Sequence, residues 1–302
     1  MEKIAAFIEK FHNRGKILED EKFTKYTSLG VGGPIQIVYF PSTNEDVIDA
    51  FRFVKAEDIP YKIVGKGSNL LPVDEPFDGI VFNLTKIEAK LEQTSETRFT
   101  IGAGYALQPL SRMLAKEGYT GHEFLSGIPG TIGGAIFMNA GTPEGEIKDI
   151  LIQATIVDAT GTLRHISNED LAFGYRTSAL QGREDFVILS GDFYFEKEAV
   201  AGSSLENIKQ AKIIRKQKQP IELPSCGSVF RNPPGEHAGA LIEAAGLKGF
   251  QLGGAQVSEK HANFIINTEG ASAEDVRALI FYIQSTIKET TGIELQPEVE
   301  FM

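Results

Sequence analysis

Two glycine-rich stretches carry the pattern best suited to chemistry. "VGKGSNLL" (64–71) sets Gly65 and Gly67 ahead of Ser68, Asn69 and Leu70. "GIPGTIGGAIFMNAG" (127–141) gathers Gly127, Gly130, Gly133, Gly134 and Gly141 beside Pro129 and Asn139. Glycine in an ordered element costs roughly 0.5–1 kcal/mol against alanine, so such density implies sharp turns or a close approach. Consecutive N–H groups in a tight glycine turn form an anion-binding concavity, and a helix beginning just beyond adds its positive end. Two such nests, on adjacent subdomains, suit the two phosphates of a dinucleotide. The plainer alternative is that the glycines serve turns and close packing; their clustering in two places, each after a strand, favours binding. The G-x-G-x-x-G pattern fails at 65–70, where Leu70 stands third, and at 102–107, where Leu107 does. No G-x-x-x-x-G-K-[ST] occurs either. The single cysteine, Cys226, excludes a disulfide framework, and no His, Asp and Glu share metal-ligand spacing, so no metal is expected.

The elements that must position these loops follow from periodicity. Ile4, Phe7, Ile8 and Phe11 are spaced for an amphipathic helix. "QIVYFP" (36–41) reads as a strand, and the segment from Ser42 as a capped helix. Ser42 to Glu45 and Thr43 to Asp46 both fit capping-box spacing, with Val47, Ala50, Phe51 and Val54 as the buried stripe. Strands at 61–65 and 79–83 complete a βαββ unit closing near Asn83. A second unit runs through "TRFTIGAG", a helix at "LQPLSRMLAKEG", the second glycine stretch, and strands near "LIQATIVD", "TLRHI" and "FVILSGDFYF". After Phe195 the polar "EKEAVAGSSLENIKQ" reads as a flexible boundary. Helices at "AGALIEAAG" and from Ser272 to Gly292, with strands at "ANFIIN" and "LQPEVEF", complete the chain. The expectation is an α+β protein divided at 1–84, 85–200 and 201–302.

Composition narrows the partners. The chain has 302 residues, 42% hydrophobic and 24% charged, with a formal charge of −11. Such a surface repels phosphate backbones, so no nucleic-acid partner is expected. The one dense basic run, 209–220, reads as a solvated helix face or linker. The opening residues carry charges throughout and fit neither a signal nor a transit peptide, and no apolar run reaches spanning length. A cytoplasmic protein without membrane contact is expected.

"VGKGSNLL" and "GIPGTIGGAIFMNAG" together resemble the vanillyl-alcohol-oxidase type of FAD-binding fold. Within it the chain is similar to the UDP-N-acetylenolpyruvoylglucosamine reductase family, through "TSLGVGGP", both loops, "YRTS" (175–178), "GSVFRNP" (227–233), "AGALIEAAGLKG", "SEKHANFIIN" and "PEVEF". The resemblance implies a two-subdomain FAD-binding region followed by an α+β substrate-binding domain. It implies noncovalent FAD cradled by Gly65, Gly67, Ser68, Asn69, Leu70, Ile128, Pro129, Gly130, Thr131, Gly133, Gly134, Asn139 and Tyr175. The family reaction passes a hydride from NADPH through FAD to the enolpyruvyl ether of UDP-N-acetylglucosamine, in peptidoglycan synthesis, and then protonates an enolate-like intermediate.

That reaction needs a cation at the carboxylate, a hold on the enolate and a proton donor. Arg176 suits the first, because guanidinium grips a carboxylate through two parallel hydrogen bonds. Ser228 suits the donor, given a neighbour that stabilises its alkoxide; otherwise it is a turn serine. Glu298 suits the enolate, with Glu300 as its decoy. Arg231, Asn232 and His261 are implied substrate contacts, though His261 equally fits a packed or capping role. Gly227 would leave the serine hydroxyl room. Cys226 would share a strand face with Ser228, and no spacing ties it to His237 or His261 as base, so packing is its expected role.

The chain resembles the shorter class of the family, without a tyrosine loop over the diphosphate, and 231–239 is the candidate lid. Two rivals stand beside this reading: an FAD oxidase of a hydroxy acid or sugar, and a non-catalytic nucleotide-binding regulator.

Overall fold

Phe7 and Phe11, one turn apart on the Glu2–Phe11 helix, bury both rings 4.7 Å apart, and Phe7 meets Tyr39 edge-on at 5.3 Å. This amphipathic stripe is why the opening residues fold as a helix. The computed structural model describes residues 2–87 and 91–302. The helix Asn44–Ala56 begins at Thr43, whose side chain accepts from Asp46 N–H while the Asp46 carboxylate accepts from Thr43 N–H. Of the two caps read from sequence, Thr43 is the one used.

The described chain divides into two compact units, one of residues up to 19, 37–65 and 78–212, the other of 20–36, 66–77 and 213–302. This differs from the three-part division at 84 and 200. Both expected FAD subdomains contribute to one apolar core in the first unit, running from Phe7 to Phe195. Leu29, Val31 and Leu71 pack instead with Val229, Ile265 and Leu295, which assigns those early segments to the second unit.

Most residues of a four-stranded sheet, ordered Gly15–Lys22, Pro34–Pro41, Phe77–Asn83, Tyr61–Val64, belong to the first unit, and its last pair is parallel. Its five-stranded sheet is antiparallel, ordered Leu163–Ser167, Leu151–Asp158, Phe186–Tyr194, Arg98–Gly102, Leu91–Gln93. The second glycine stretch contains the helix Ile132–Met138. The segment read as a flexible boundary contains the first half of a helix, Ser203–Lys218. The Glu198 carboxylate accepts from Gly202 and Ser204 N–H, and Ser204 Oγ donates to Glu123, so polar residues there cap the helix rather than loosen it.

In the second unit, Ser225–Ser228, Phe264–Asn267, Ala255–Val257 and Gln251–Leu252 form an antiparallel sheet beside the helices Ala238–Ala244 and Ala273–Thr291. The second helix has a Ser272/Asp275 capping box and stops at Gly292, whose φ of 76° suits glycine. Asp74 accepts from the Ala273 and Glu274 amides at its start. "LQPEVEF" is strand only at Glu300–Phe301, parallel to Leu70–Leu71. Among the described residues no helix is long and apolar enough to cross a membrane. Nor do three or more His, Cys, Asp or Glu form a group that could hold a metal.

Candidate active site

In the first unit, the 127–134 stretch is shaped by a bridge between Ala106 and Thr131. Leu107 N–H donates to Gly130 O (3.1 Å) and Ile132 N–H to Tyr105 O (3.0 Å). In such a pair the intervening residue's own amide points away from its partner strand, so Thr131 N–H faces outward. Gly134, in the first turn of the following helix, presents a second amide without an intrahelical acceptor and is exposed. The amides of Ile128, Gly130 and Gly133 are bonded internally, to Leu125, Ile128 and Ala103 carbonyls. These three residues, with exposed Pro129, set the loop's course. A Cβ on Gly65 would lie 2.4 Å from Thr131 Oγ1, so glycine is required where the two stretches touch.

Asn139 is fully buried at a left-handed φ of 43°. Its side chain donates to Glu146 (3.0 Å) and to Gly174 O (2.8 Å), and accepts from Lys148 N–H (3.0 Å). It is a clamp that sets Glu146. Gly174 and Thr177 exchange backbone hydrogen bonds of 3.1 and 3.2 Å around a tight turn whose tip is Tyr175–Arg176. Arg176 occupies the turn position with positive φ (57°), where glycine is normal. A non-glycine residue held there costs about 1–2 kcal/mol, a strain that collects at functional sites. Its guanidinium, 14% exposed, donates from Nη2 to Gly141 O (2.6 Å) and lies 3.7 Å from Glu146. It also lies 5.0 Å from the centre of the half-exposed Tyr175 ring.

In the second unit, Gly67 has φ 61°, and a Cβ there would fall 1.9 Å from Tyr26 O. Ser28 N–H donates to Gly67 O (3.1 Å). Among the described residues no acceptor takes the amides of Lys66, Gly67, Ser68 or Asn69. Asn69 Nδ2 donates to the Glu298 carbonyl (2.9 Å), and Glu300 N–H donates to Asn69 O (2.9 Å). Leu70 opens the short parallel pair with Glu300.

Ser228 lies at a β-bulge, since Ser225 pairs with Ile266 and Ser228 with Phe264, leaving two residues opposite one. Gly227, at φ 79°, makes the bulge, and a Cβ there would meet nothing within 4 Å. The positive φ is one reason for glycine here. The bulge also breaks the alternation that would have set Cys226 and Ser228 on one face. Cys226 is buried in the core, and desolvation, with Glu298 nearby, pushes its thiol up to about 12. Burial thus disfavours the thiolate form at neutral pH.

Glu298 N–H donates to Val229 O (2.7 Å), one residue past Ser228, and Arg231 N–H donates to Gln296 O (2.9 Å). The buried side chain of Asn263 accepts from Phe230 N–H (3.0 Å) and donates to Phe230 O (2.8 Å). Ser228, Arg231 and Glu298 thus share one hydrogen-bonded frame. The buried Arg231 Nε has no hydrogen-bond partner among the described residues. Half-buried Glu300 is raised by desolvation, with Arg231 opposing. Asn232 Oδ1 accepts from Ala238 N–H (3.0 Å) and caps that helix. His261 Nδ1 accepts from Asn263 N–H (3.2 Å), its ring edge-on to Phe264 at 4.8 Å, and burial lowers its pKa. That is the capping geometry.

Sequence reasoning missed Glu146, Asn263 and the second role of Asn69, because nothing local marks a residue whose partner is far along the chain. As a test of fit to an anionic cofactor, each unit taken by itself offers amides without acceptors among the described residues, 66–69 in the second and Thr131 and Gly134 in the first, donor chemistry that suits a phosphate.

Residues 35–167 match the FAD binding domain model, and 219–302 match the C-terminal domain model of UDP-N-acetylenolpyruvoylglucosamine reductase. The UDP-N-acetylenolpyruvoylglucosamine reductase of Bacillus velezensis is 42% identical over 291 residues, covering 95% of this chain and 94% of that protein. The Bacillus subtilis enzyme of the same name is 41% identical over 288 residues, covering 95% and 94%. The crystal structure of UDP-N-acetylenolpyruvylglucosamine reductase from Thermus caldophilus has a TM-score of 0.79 at 33% identity, covering 95% of this chain and 98% of that one. Fold and domain pair define an FAD-binding oxidoreductase of α+β architecture. The chain belongs to the UDP-N-acetylenolpyruvoylglucosamine reductase family.

Proposed function

We propose that this protein reduces the enolpyruvyl ether of UDP-N-acetylglucosamine to UDP-N-acetylmuramate, with NADPH as reductant and noncovalent FAD, for peptidoglycan synthesis in the cytoplasm. Likeness to reductases over nearly the whole chain favours this over an oxidase or a non-catalytic regulator. The observation that carries the residue assignment is the Glu298–Val229 hydrogen bond, which sets a carboxyl-bearing segment against the one bearing Ser228.

In the second unit the amides of Lys66, Gly67, Ser68 and Asn69, and in the first those of Thr131 and Gly134, are each donor groups that a cofactor phosphate would take. When bound, FAD would supply the two-electron hydride chemistry that links NADPH to the terminal vinyl carbon. Arg176 takes the role of cation at the substrate carboxylate, where negative charge grows as that carbon becomes a methyl. Its prior bonds to Gly141 O and the neighbourhood of Glu146 fix the guanidinium's direction. Glu298 takes the role of the group that holds the enolate oxygen through a shared proton. Ser228 Oγ donates a proton to the carbon that bears the ether oxygen, completing the addition of two hydrogens. Arg231, whose Nε has no hydrogen-bond partner among the described residues, suits a phosphate oxygen of the sugar nucleotide. Asn232 Oδ1 and His261 Nδ1 are engaged within the protein, so a substrate contact from either side chain would come from Asn232 Nδ2 or His261 Nε2. The 231–239 segment, exposed from Pro234 to His237, is the lid in this reading, and its hydrogen exchange should slow when substrate binds.

Incubation without oxygen with NADPH, FAD and the enolpyruvyl sugar nucleotide tests the reading. Mass spectrometry should find a product two hydrogens heavier and no peroxide. Unchanged substrate, or peroxide made in air with oxidised product, would reject it.

A further inference from the structure

Asn69 joins two functions that the sequence keeps far apart. Its amide N–H belongs to the run without protein acceptors, while its side chain holds the Glu298 carbonyl (2.9 Å) and its own carbonyl takes the Glu300 amide (2.9 Å). Two residues on, Leu71 O accepts from Met302 N–H (3.0 Å). The anion-binding turn is therefore stapled to the end of the chain at three points. A parallel pair of two residues is too short to hold by itself, so those staples decide whether the end segment stays in place. From its other side, Glu298 is tied by its N–H to Val229. The carboxyl-bearing residue is thus held between the Ser228 segment and the turn.

We propose that cofactor loading and the placement of Glu298 are coupled through Asn69, which acts as a positioning residue for the carboxylate; this rests on the FAD reading given above. The turn shape that aims amides at a diphosphate is the shape whose Asn69 side chain and carbonyl meet residues 298–300. An anion that fixes the turn therefore fixes Glu298. By reciprocity, whatever loosens 298–302 weakens FAD by the same factor, although none of the substituted positions below is assigned to the cofactor site.

Titration of FAD-free protein with FAD, followed by flavin fluorescence, measures the coupling. Glu300→Pro removes the N–H that Asn69 O accepts and should raise the FAD dissociation constant roughly 5- to 10-fold, the scale of one hydrogen bond. Met302→Pro removes the N–H to Leu71 O and should raise it about two- to fivefold. Glu300→Gln keeps its N–H and should change the constant by less than about twofold. In the parent chain, hydrogen exchange at the Glu300 and Met302 amides should slow on adding FAD; a merely structural strand would be protected equally with and without it. FAD bound as tightly by both proline variants as by the parent, or exchange at those amides indifferent to FAD, overturns the coupling alone. If Glu300→Pro does not fold, Met302→Pro and the exchange measurement decide. A parent chain that takes up no FAD overturns the cofactor reading and the coupling with it.

Discussion

Arg176 and Glu298 carry opposite charges and are held in opposite ways. Arg176 is restrained at its tip, by Gly141 O and Glu146, while its backbone stands at a φ of 57° in a tight turn. Glu298 is restrained through its main chain, its N–H bonded to Val229 and its carbonyl to Asn69. The first arrangement places a charge by strain and side-chain contact, so its surroundings control it. The second builds a frame from peptide groups, so the carboxyl can be exchanged without disturbing what positions it.

The largest expected effect tests the frame. Glu298→Gln keeps both main-chain bonds, so the variant should fold and its flavin should be reduced by NADPH within about threefold of the parent rate. Transfer to the enolpyruvyl substrate should fall by roughly 10²–10⁴-fold, the scale of general acid–base catalysis, and Ser228→Ala should behave likewise. Stopped-flow absorbance separates the half-reactions. Equal losses in both would remove these residues from their roles, and a larger loss in Glu300→Gln than in Glu298→Gln would exchange the two glutamates.

The strained side should respond differently. Arg176→Lys keeps charge but loses the planar fork, and kcat/KM for the sugar nucleotide should drop about 10- to 100-fold, as for loss of one well-placed charged hydrogen bond. Arg176→Gly should abolish turnover yet leave unfolding free energy within about 1 kcal/mol of the parent, because relief of the left-handed backbone offsets the lost contacts. A loss of several kcal/mol would show that the turn is not strained.

A smaller effect concerns the first unit's core. His122 is fully buried, its ring nitrogens at Ser111 Oγ (3.1 Å) and Tyr119 O (3.0 Å), and desolvation lowers its pKa against the opposing pull of Glu123. The unfolded chain therefore binds this proton more readily than the folded one below about pH 6.5. Stability is unaffected above that pH and falls as pH drops through it, by at most about 1.4 kcal/mol per unit for this group. Urea unfolding at pH 7.5 and 5.5 should show His122→Asn losing less than the parent over that interval; equal losses would place the sensitivity elsewhere. The smallest effect belongs to Cys226: Cys226→Ala should keep turnover within about threefold, since a thiol pushed up to about 12 takes no part in chemistry at neutral pH.

What was legible in the sequence follows locality. Thr43–Asp46 and Ser272–Asp275 act three residues apart, so the caps and their helices could be read directly. The apolar stripe Phe7–Phe11 could be read in the same way. The Ser203–Lys218 helix was obscured because its polar composition resembles a linker, while Glu198 and Glu123 hold its start. The identities of Arg176, Ser228 and Glu298 as candidates came from motif resemblance; their settings did not. Nothing in "GYRTS" announces a left-handed arginine, nor in "CGSVF" a bulge that separates Cys226 from Ser228. The Asn69–Glu298 bond joins residues 229 positions apart, beyond any reach of spacing.

The central claim is that this chain stores two electrons in bound flavin and passes them to an enolpyruvyl ether. An absorbance spectrum of FAD-loaded protein without oxygen tests it most directly: NADPH should bleach the flavin band, and the enolpyruvyl sugar nucleotide should restore it in one turnover. Protein that binds no flavin, or reduced flavin that stays bleached when the sugar nucleotide is added, would contradict the account.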